Sequence, residues 1–273
     1  TKNPQVYKSS PKILMQSIRN LSLKRRLIPT LDEEGHYFGG NVVGIIKSDE
    51  CLSIRFLLAL LGSNLLNEFF SHRFTTISLT STFLGEIPIR RISFTTPAEE
   101  RARLGAELQD LYAQGKDAEI LAEVRECLPQ EGAGGFIAGR ERSDVVRDLL
   151  AFLAEKMLEM NKEKQQEIRG FLGWLEGYLG AKVEKLTPKT RLQGYYEHDY
   201  ESLLAVLKKN RKKLAVDPAR REPAEALWSE FEGSMNKLLP LRERIEKTDR
   251  LIDAVVYRLY GLTEEEIGIV EGK

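Results

Sequence analysis

The pattern of apolar and polar positions changes character near residue 96. Before it, short apolar runs alternate with polar clusters; after it, apolar residues recur at three- and four-residue spacing over long stretches. Lys12 to Ile18 and Asn41 to Ile46 are short runs suited to half-buried strands. Between them, Asp32-Glu33-Glu34-Gly35 reads as a turn in which Gly35 takes a positive φ. Leu27 to Leu31 and His36 to Phe38 are therefore expected to pair as a hairpin around it. Gly39 and Gly40 permit a bulge or a close backbone approach. Leu52 to Phe70 predicts one helix, with Phe56, Leu57, Leu60, Leu61, Leu65 and Phe69 on the face toward a sheet. Ile87 to Phe94 reads as a strand that Pro88 restricts to an edge or a strand start.

The remainder predicts helices. Thr96-Pro97-Ala98-Glu99 has the form of a cap, a first-turn Pro and a capping-box Glu, opening a helix to about Gln114. Asp117 to Cys127 follows, then Pro129 and the Gly132-Ala133-Gly134-Gly135 linker. Ser143 is positioned to cap a helix from Asp144 to about Tyr178, and Asp199 one from Tyr200 to Leu214. Pro223 opens another, which Pro240 is expected to kink or split. Arg242 to Tyr260 is closed by Gly261, and Thr263 to Glu266 caps a short last helix. Ile245, Ile252, Val255, Val256, Leu259 and Tyr260 form one apolar stripe, and Leu149, Leu150, Phe152, Leu153, Met157 and Met160 another, as in a bundle. The expected class is α+β: an N-terminal mixed β-sheet lobe with a packed helix, then a mainly α-helical bundle. The expected division is 1–96, a connecting region 97–135, and a helical region 136–273.

Composition adds one asymmetry. The 273 residues carry no net charge, with 42% hydrophobic and 30% charged positions. Residues 1–96, however, hold twelve Lys/Arg against seven Asp/Glu, a balance of +5, which leaves −5 for the rest. A basic front and an acidic rear suit a nucleic-acid face on a solvated scaffold, or two ordinary domains with scattered charge. No apolar run is long enough to span a bilayer, so no membrane partner is expected. Cys51 and Cys127 read as reduced thiols of a cytoplasmic protein. The first residue is Thr1, and the chain is expected to be a piece of a longer protein.

Candidate chemistry is sparse. His36, His72 and His198 lack metal-ligand spacing, and neither cysteine has a nearby His partner in sequence. Gly132 to Gly135 has no Lys-Ser/Thr and no preceding strand, so it is not a phosphate loop. Arg19, Lys24, Arg25 and Arg26 form a basic cluster that cannot be wholly buried; it is a solvated loop or a set of phosphate contacts. His72, Arg73, Thr75, Thr76, Ser78, Thr80 and Ser81 form a hydroxyl-rich run, either a β-edge or a groove-facing loop. Lys208, Lys209, Arg211, Lys212 and Lys213 read as a solvated helix face, or as an extension of a phosphate track should the bundle lie along DNA.

A resemblance chooses among these. The LLALLGSNLL helix, the Thr/Ser run with the LGEIPI segment, and the basic stretch ahead of Tyr37-Phe38-Gly39-Gly40 resemble the target-recognition domain of TaqI-like adenine-specific DNA methyltransferases, including fused restriction-modification enzymes. They are also similar to the recognition half-domains of type I restriction specificity subunits. The stretches FIAGRERSDVVRDLLAFLAEKMLEMNKEKQQEIRGFLGWLE and KTDRLIDAVVYRLYGLTEEEIGIVE resemble the C-terminal tails of the fused enzymes. The resemblance implies a sequence-specific DNA-recognition module that binds double-stranded DNA beside an upstream methyltransferase domain. It implies DNA contacts from Arg19, Lys24, Arg25, Arg26, His72, Arg73, Thr75, Thr76 and Ser78, with Arg73 the candidate for a base contact. The parent would be an adenine methyltransferase, and in the fused form an endonuclease, using S-adenosylmethionine. This chain lacks a Gly-rich cofactor motif and an Asn/Asp-Pro-Pro-aromatic motif (Asn3-Pro4-Gln5-Val6 falls short of it), so it is expected to hold no cofactor and to be catalytically silent. The competing expectation is a helical protein-interaction scaffold without DNA contact.

Overall fold

A computed structural model describes residues 8–46, 53–131, 135–137 and 139–273. Cys51 and the Asn3–Val6 run lie outside the described residues, as does most of the Gly132–Gly135 linker. The fold is α+β, a small N-terminal sheet followed by a helical bundle. The sheet comprises β1 (Lys12–Gln16), β2 (Thr30–Asp32) and β3 (Val42–Ile46), in the order β2-β1-β3. Both pairings are antiparallel, where a mixed sheet was expected: Lys12 faces Asp32 and Ile46, and Gln16 faces Val42.

The turn after β2 forms, but the hairpin differs from the expected one. Gly35 has φ +73°, and a Cβ there would lie 2.9 Å from the Lys8 carbonyl oxygen. The Asp32 carboxylate accepts hydrogen bonds from the Glu34 and His36 amides. Residues 36–38 then make no strand, and β2 pairs with β1 instead. Phe38 lies over β3, where a Cβ on Gly44 would come within 2.5 Å of its ring.

The expected single helix over Leu52–Phe70 is two: α1 (Ile54–Gly62) and α2 (Asn64–Arg73). Ser63 breaks it. Its backbone is extended, its hydroxyl donates to the Leu60 carbonyl, and the same oxygen accepts from the Leu66 amide, so one side chain ends α1 and caps α2. After the short α3 (Ser81–Gly85), residues 87–94 form no strand. That segment is held by helix side chains rather than by a ladder. The Tyr260 hydroxyl donates to the Pro88 carbonyl and accepts from the Arg90 amide, and the Ser143 hydroxyl accepts from the Ser93 amide.

The helices are α4 (Ala98–Ala113), α5 (Asp117–Cys127), α6 (Ser143–Leu179), α7 (Lys189–Gln193), α8 (Tyr200–Lys209), α9 (Arg221–Tyr260) and α10 (Glu264–Glu271). A two-residue ladder, β4 (Gln130–Glu131) with β5 (Gly135–Phe136), joins α5 to α6. Thr96 does not cap α4; its amide and hydroxyl donate to Asp144 instead. Asp199 caps α8 as expected, but α8 stops at Lys209 because the buried Asn210 side chain exchanges hydrogen bonds with the Thr187 backbone. Pro240 does not split α9, which runs 40 residues through it. Gly261 at φ +74° ends α9, and Thr263 and Glu266 form the expected capping box.

The chain divides into two compact units, residues 1–158 with 248–273, and residues 159–247. This differs from the expected division at 96 and 135: α4, α5 and both ends of the 143–260 region belong with the sheet. In the first unit Ile13, Phe56, Leu60, Phe70, Leu150, Val255 and Leu259 share one core. In the second, Phe171 stacks on Tyr195 at 4.0 Å between ring centres, and the buried Tyr195 hydroxyl bonds Ser234 at 2.6 Å.

Beneath the sheet Lys12 is fully buried and pairs with Asp32 at 2.8 Å. Asp32 also accepts from His36 Nδ1 at 3.0 Å. The Lys12 bond, then His36 and the Glu34 amide, hold the Asp32 carboxyl well below its ordinary pKa of about 3.9, against the cost of burial. Its folded value is depressed, so its stabilising contribution is present above about pH 4 and is lost as the pH falls further. Asp32→Asn is expected to cost about 3–5 kcal/mol, because it removes the counter-charge of a buried ammonium, and to flatten the acid limb of urea-unfolding stability between about pH 4 and pH 2. A cost under about 1 kcal/mol would contradict the pair's role.

Candidate nucleic-acid interface

The two segments singled out by sequence meet in the first unit. The Arg19 amide donates to the Ile77 carbonyl at 2.9 Å and the Leu79 amide to the Ser17 carbonyl at 2.6 Å, with Ile18 bridged to Ser78. These bonds extend the end of β1 into an irregular pairing with residues 77–79. The hydroxyl-rich run is therefore fixed against the start of the basic segment.

Arg26 closes the arrangement from inside. It is 3% exposed, and its guanidinium lies over the Phe70 ring at 4.8 Å. Nη1 donates to the Phe74 carbonyl at 2.7 Å, and Nη2 donates to the Thr76 carbonyl. Burial lowers its pKa, yet a guanidinium stays charged at any working pH. The backbone beside it is held by the buried Asn67, whose Oδ1 accepts from the Arg26 and Leu27 amides at 2.8 and 2.7 Å. Asn67 Nδ2 donates to the Leu27, Leu61 and Ser63 carbonyls, so this buried amide is fully satisfied.

Arg25 is also committed. It pairs with Asp249 at 2.8 Å and Asp253 at 3.1 Å, and its Nε donates to Asn64 Oδ1 at 2.9 Å. Asp253 Oδ1 accepts from the Asn64 amide at 2.7 Å, at the start of α2. Burial pushes the Asp253 carboxyl up to about 6, opposed by the Asn64 amide and by Arg25. Side-chain bonds to Asp249 and the charges of both carboxylates raise Arg25 against its own burial.

The nine expected DNA contacts thus separate. Arg26 faces inward, and its guanidinium is taken up by internal carbonyls rather than presented at a surface; Arg25, its side chain 29% exposed, is held by Asp249, Asp253 and Asn64. Arg19 is half-buried and donates to Gln16 Oε1 and to the Arg25 carbonyl. Thr76 Oγ1 accepts from the Ser78 amide, so both residues serve the local turn. Lys24, His72, Arg73 and Thr75 are exposed. Arg73 reaches Glu86 at 3.1 Å and His72 reaches Glu68 at 3.1 Å, both solvent-exposed pairs of little net strength. On the same two segments Ile18, Leu21, Leu23, Ile28 and Ile77 are 41–52% exposed, apolar side chains that sequence reading did not identify.

Sequence reasoning also missed Asn67 and Asp253. Both interrupt an apolar stripe: Asn67 stands between Leu66 and Phe70 on α2, and Asp253 between Ile252 and Val255 on α9. A polar residue on a helix's buried face is the signal that could have found them. Elsewhere, Cys127 is buried and its thiol is pushed up to about 11, so it is no nucleophile. Among the described residues no group of three His, Cys, Asp or Glu could hold a metal ion. Among the described residues no helix is long and apolar enough to cross a membrane.

Arg26→Ala is expected to lower unfolding stability by roughly 2–4 kcal/mol, since two carbonyls lose charge-assisted donors and a core cavity opens. Lys24→Ala, two residues away and exposed, should stay within about 0.5 kcal/mol of the parent. Urea unfolding of both variants checks the contrast; equal stabilities would place Arg26 at the surface after all.

Residues 143–256 match the model of a family described as a domain of unknown function, DUF8810, a span of less than half the chain. The match begins at the first residue of α6, contains all of the second unit and ends within α9. No curated protein matches the chain, and neither does any solved structure.

Proposed function

We propose that the chain is the DNA target-recognition module of an adenine-specific methyltransferase or fused restriction-modification enzyme, acting in the cytoplasm. Its contact surface is the paired segments 18–28 and 72–78. The observation that carries this reading is the juxtaposition of the two segments through the Ile18–Ser78 bridge and its flanking bonds: one carries exposed Lys24, Ile18, Leu21 and Leu23, the other exposed His72, Arg73, Thr75 and Ile77. Cations hold phosphates, hydroxyls donate to them, and aliphatic side chains contact thymine methyls in the major groove. The buried Arg26 and Asn67 fix the backbone that presents these groups, and a rigid support is what base readout needs. The methyltransferase domain of the parent would bind S-adenosylmethionine and flip the target adenine; this chain would supply position and register.

A second reading has its own support. Five exposed aliphatic side chains on one pair of segments also suit a protein interface, on which the methyltransferase domain or another partner would rest. Salt separates the two. Binding to duplex DNA at the proposed surface should weaken linearly in log–log salt titrations, and Lys24→Ala should lower the slope by about one without changing sequence preference. Arg73→Ala should cost roughly 1–3 kcal/mol on the recognised site and relax one position if it reads a base. Affinity for duplex DNA that does not respond to salt, or to either variant, would remove the DNA reading and favour the protein interface. Incubated with labelled S-adenosylmethionine and duplex DNA, the chain alone should transfer no methyl group; incorporation by the pure chain would overturn its role as a recognition module only.

A further inference from the structure

A cleft of about 490 Å³ opens in the first unit between α2, α5, the C-terminal part of α9 and α10. One wall is apolar, made by Leu121, Ala254, Leu262 and Ile267. The charge around it is uneven. Lys24, Arg125 and Arg250 line the cleft, and none of the three has an acidic partner among the described residues. Arg258 lines it too: its Nη atoms donate to Gln130 Oε1 and the Leu128 carbonyl, while its Nε is buried without an acceptor. Arg125 is close enough to Arg258 that its charge helps lower the Arg258 pKa, after burial. Like charges brought together at one cleft are unfavourable unless an anion comes between them.

At the back of the cleft is Tyr257, 3% exposed. Its hydroxyl oxygen is closed off from solvent and lies by the Asn64 side chain, whose hydrogen bond partly offsets the effect of burial. Burial, and then the Asp253 charge, push this hydroxyl up to about 12, so it is a donor throughout the neutral range. Three carboxylates also line the cleft. Asp253 is bound by Arg25 and the Asn64 amide, Glu271 pairs with Lys273 at 2.5 Å, and Glu264 lies exposed in the first turn of α10.

From the cleft and its unpaired cations we infer that this is a binding site for a phosphate group, with Lys24, Arg125 and Arg250 neutralising the anion. Arginine matches the geometry of phosphate oxygens with paired donors, and the volume is in the range of small-ligand sites. The phosphate belongs either to a small phosphorylated molecule, whose apolar part would face Leu121 and Ile267, or to a nucleic-acid backbone passing Lys24. Only the second source rests on the DNA reading above.

The test is calorimetric titration of the full chain with inorganic pyrophosphate at low ionic strength, and separately with a short duplex DNA. Saturable pyrophosphate binding at one site is expected. Arg125→Ala with Arg250→Ala, both exposed and without structural partners, should weaken it at least tenfold. Lys24→Ala should weaken it several-fold. Glu264→Gln, which removes a repelling carboxylate, should strengthen it, a gain that misfolding could not imitate. If the same variants weaken duplex binding, and duplex competes with pyrophosphate, the backbone is the source; if duplex binds unaffected or not at all while pyrophosphate responds, the ligand is a small phosphorylated molecule. Absence of pyrophosphate binding, or binding unchanged in all three variants, would overturn the site, whatever the duplex result.

Discussion

A charged guanidinium inside the core, that of Arg26, is the constraint on which the first unit's surface depends. Taking that cation out of water is costly, and only its acceptors and the face of Phe70 offset the cost. The acceptors are backbone carbonyls of Phe74 and Thr76, at the point where α2 ends and the hydroxyl-rich run begins. A chain leaving a helix has carbonyls without internal partners, and Arg26 supplies donors to that exit. Asn67 does the matching work about two turns earlier by holding the Arg26 and Leu27 amides. Together these two residues tie a strand end, a loop and a helix terminus into one support.

Arg25 extends the same logic across the chain. Its partners Asp249 and Asp253 are more than two hundred residues away in sequence, on the last part of α9. Asp253 also caps α2 through the Asn64 amide, so one carboxylate serves both the basic segment and the helix beside it. The first unit is therefore discontinuous: the chain leaves it along α6 at residue 158 and re-enters along α9 at residue 248. What lies between is a helical excursion with its own aromatic core around Phe171, Tyr195 and Phe231.

Local chemistry was legible in the sequence. The turn at Asp32–Gly35, the caps at Asp199 and Thr263, the Gly261 stop and the helix Asp117–Cys127 all follow from residues within a few positions of one another. What was not legible depended on distant partners. Residues 87–94 read as a strand because their alternation suits one, yet their hydrogen bonds go to Tyr260 and Ser143. Thr96 looked like a cap until Asp144, 48 residues on, claimed both its donors. Arg25 and Arg26 looked like surface charge because a run of cations usually is. Their internal acceptors are either backbone carbonyls, which have no sequence signature, or carboxylates far along the chain. The surface that remains, Lys24, His72, Arg73 and Thr75 among exposed aliphatics, is smaller and less basic than the charge count of residues 1–96 suggested.

The central claim is that buried Arg26 holds the basic and hydroxyl-rich segments together as one presented surface. Amide hydrogen exchange in an Arg26→Met variant tests it most directly, since Met fills much of the volume but donates nothing. Faster exchange is expected at the Arg19 and Leu79 amides, whose bonds to the Ile77 and Ser17 carbonyls join the segments. Amides of α8, in the other compact unit, should keep their protection. Unchanged protection at Arg19 and Leu79 in a folded Arg26→Met variant would contradict the account.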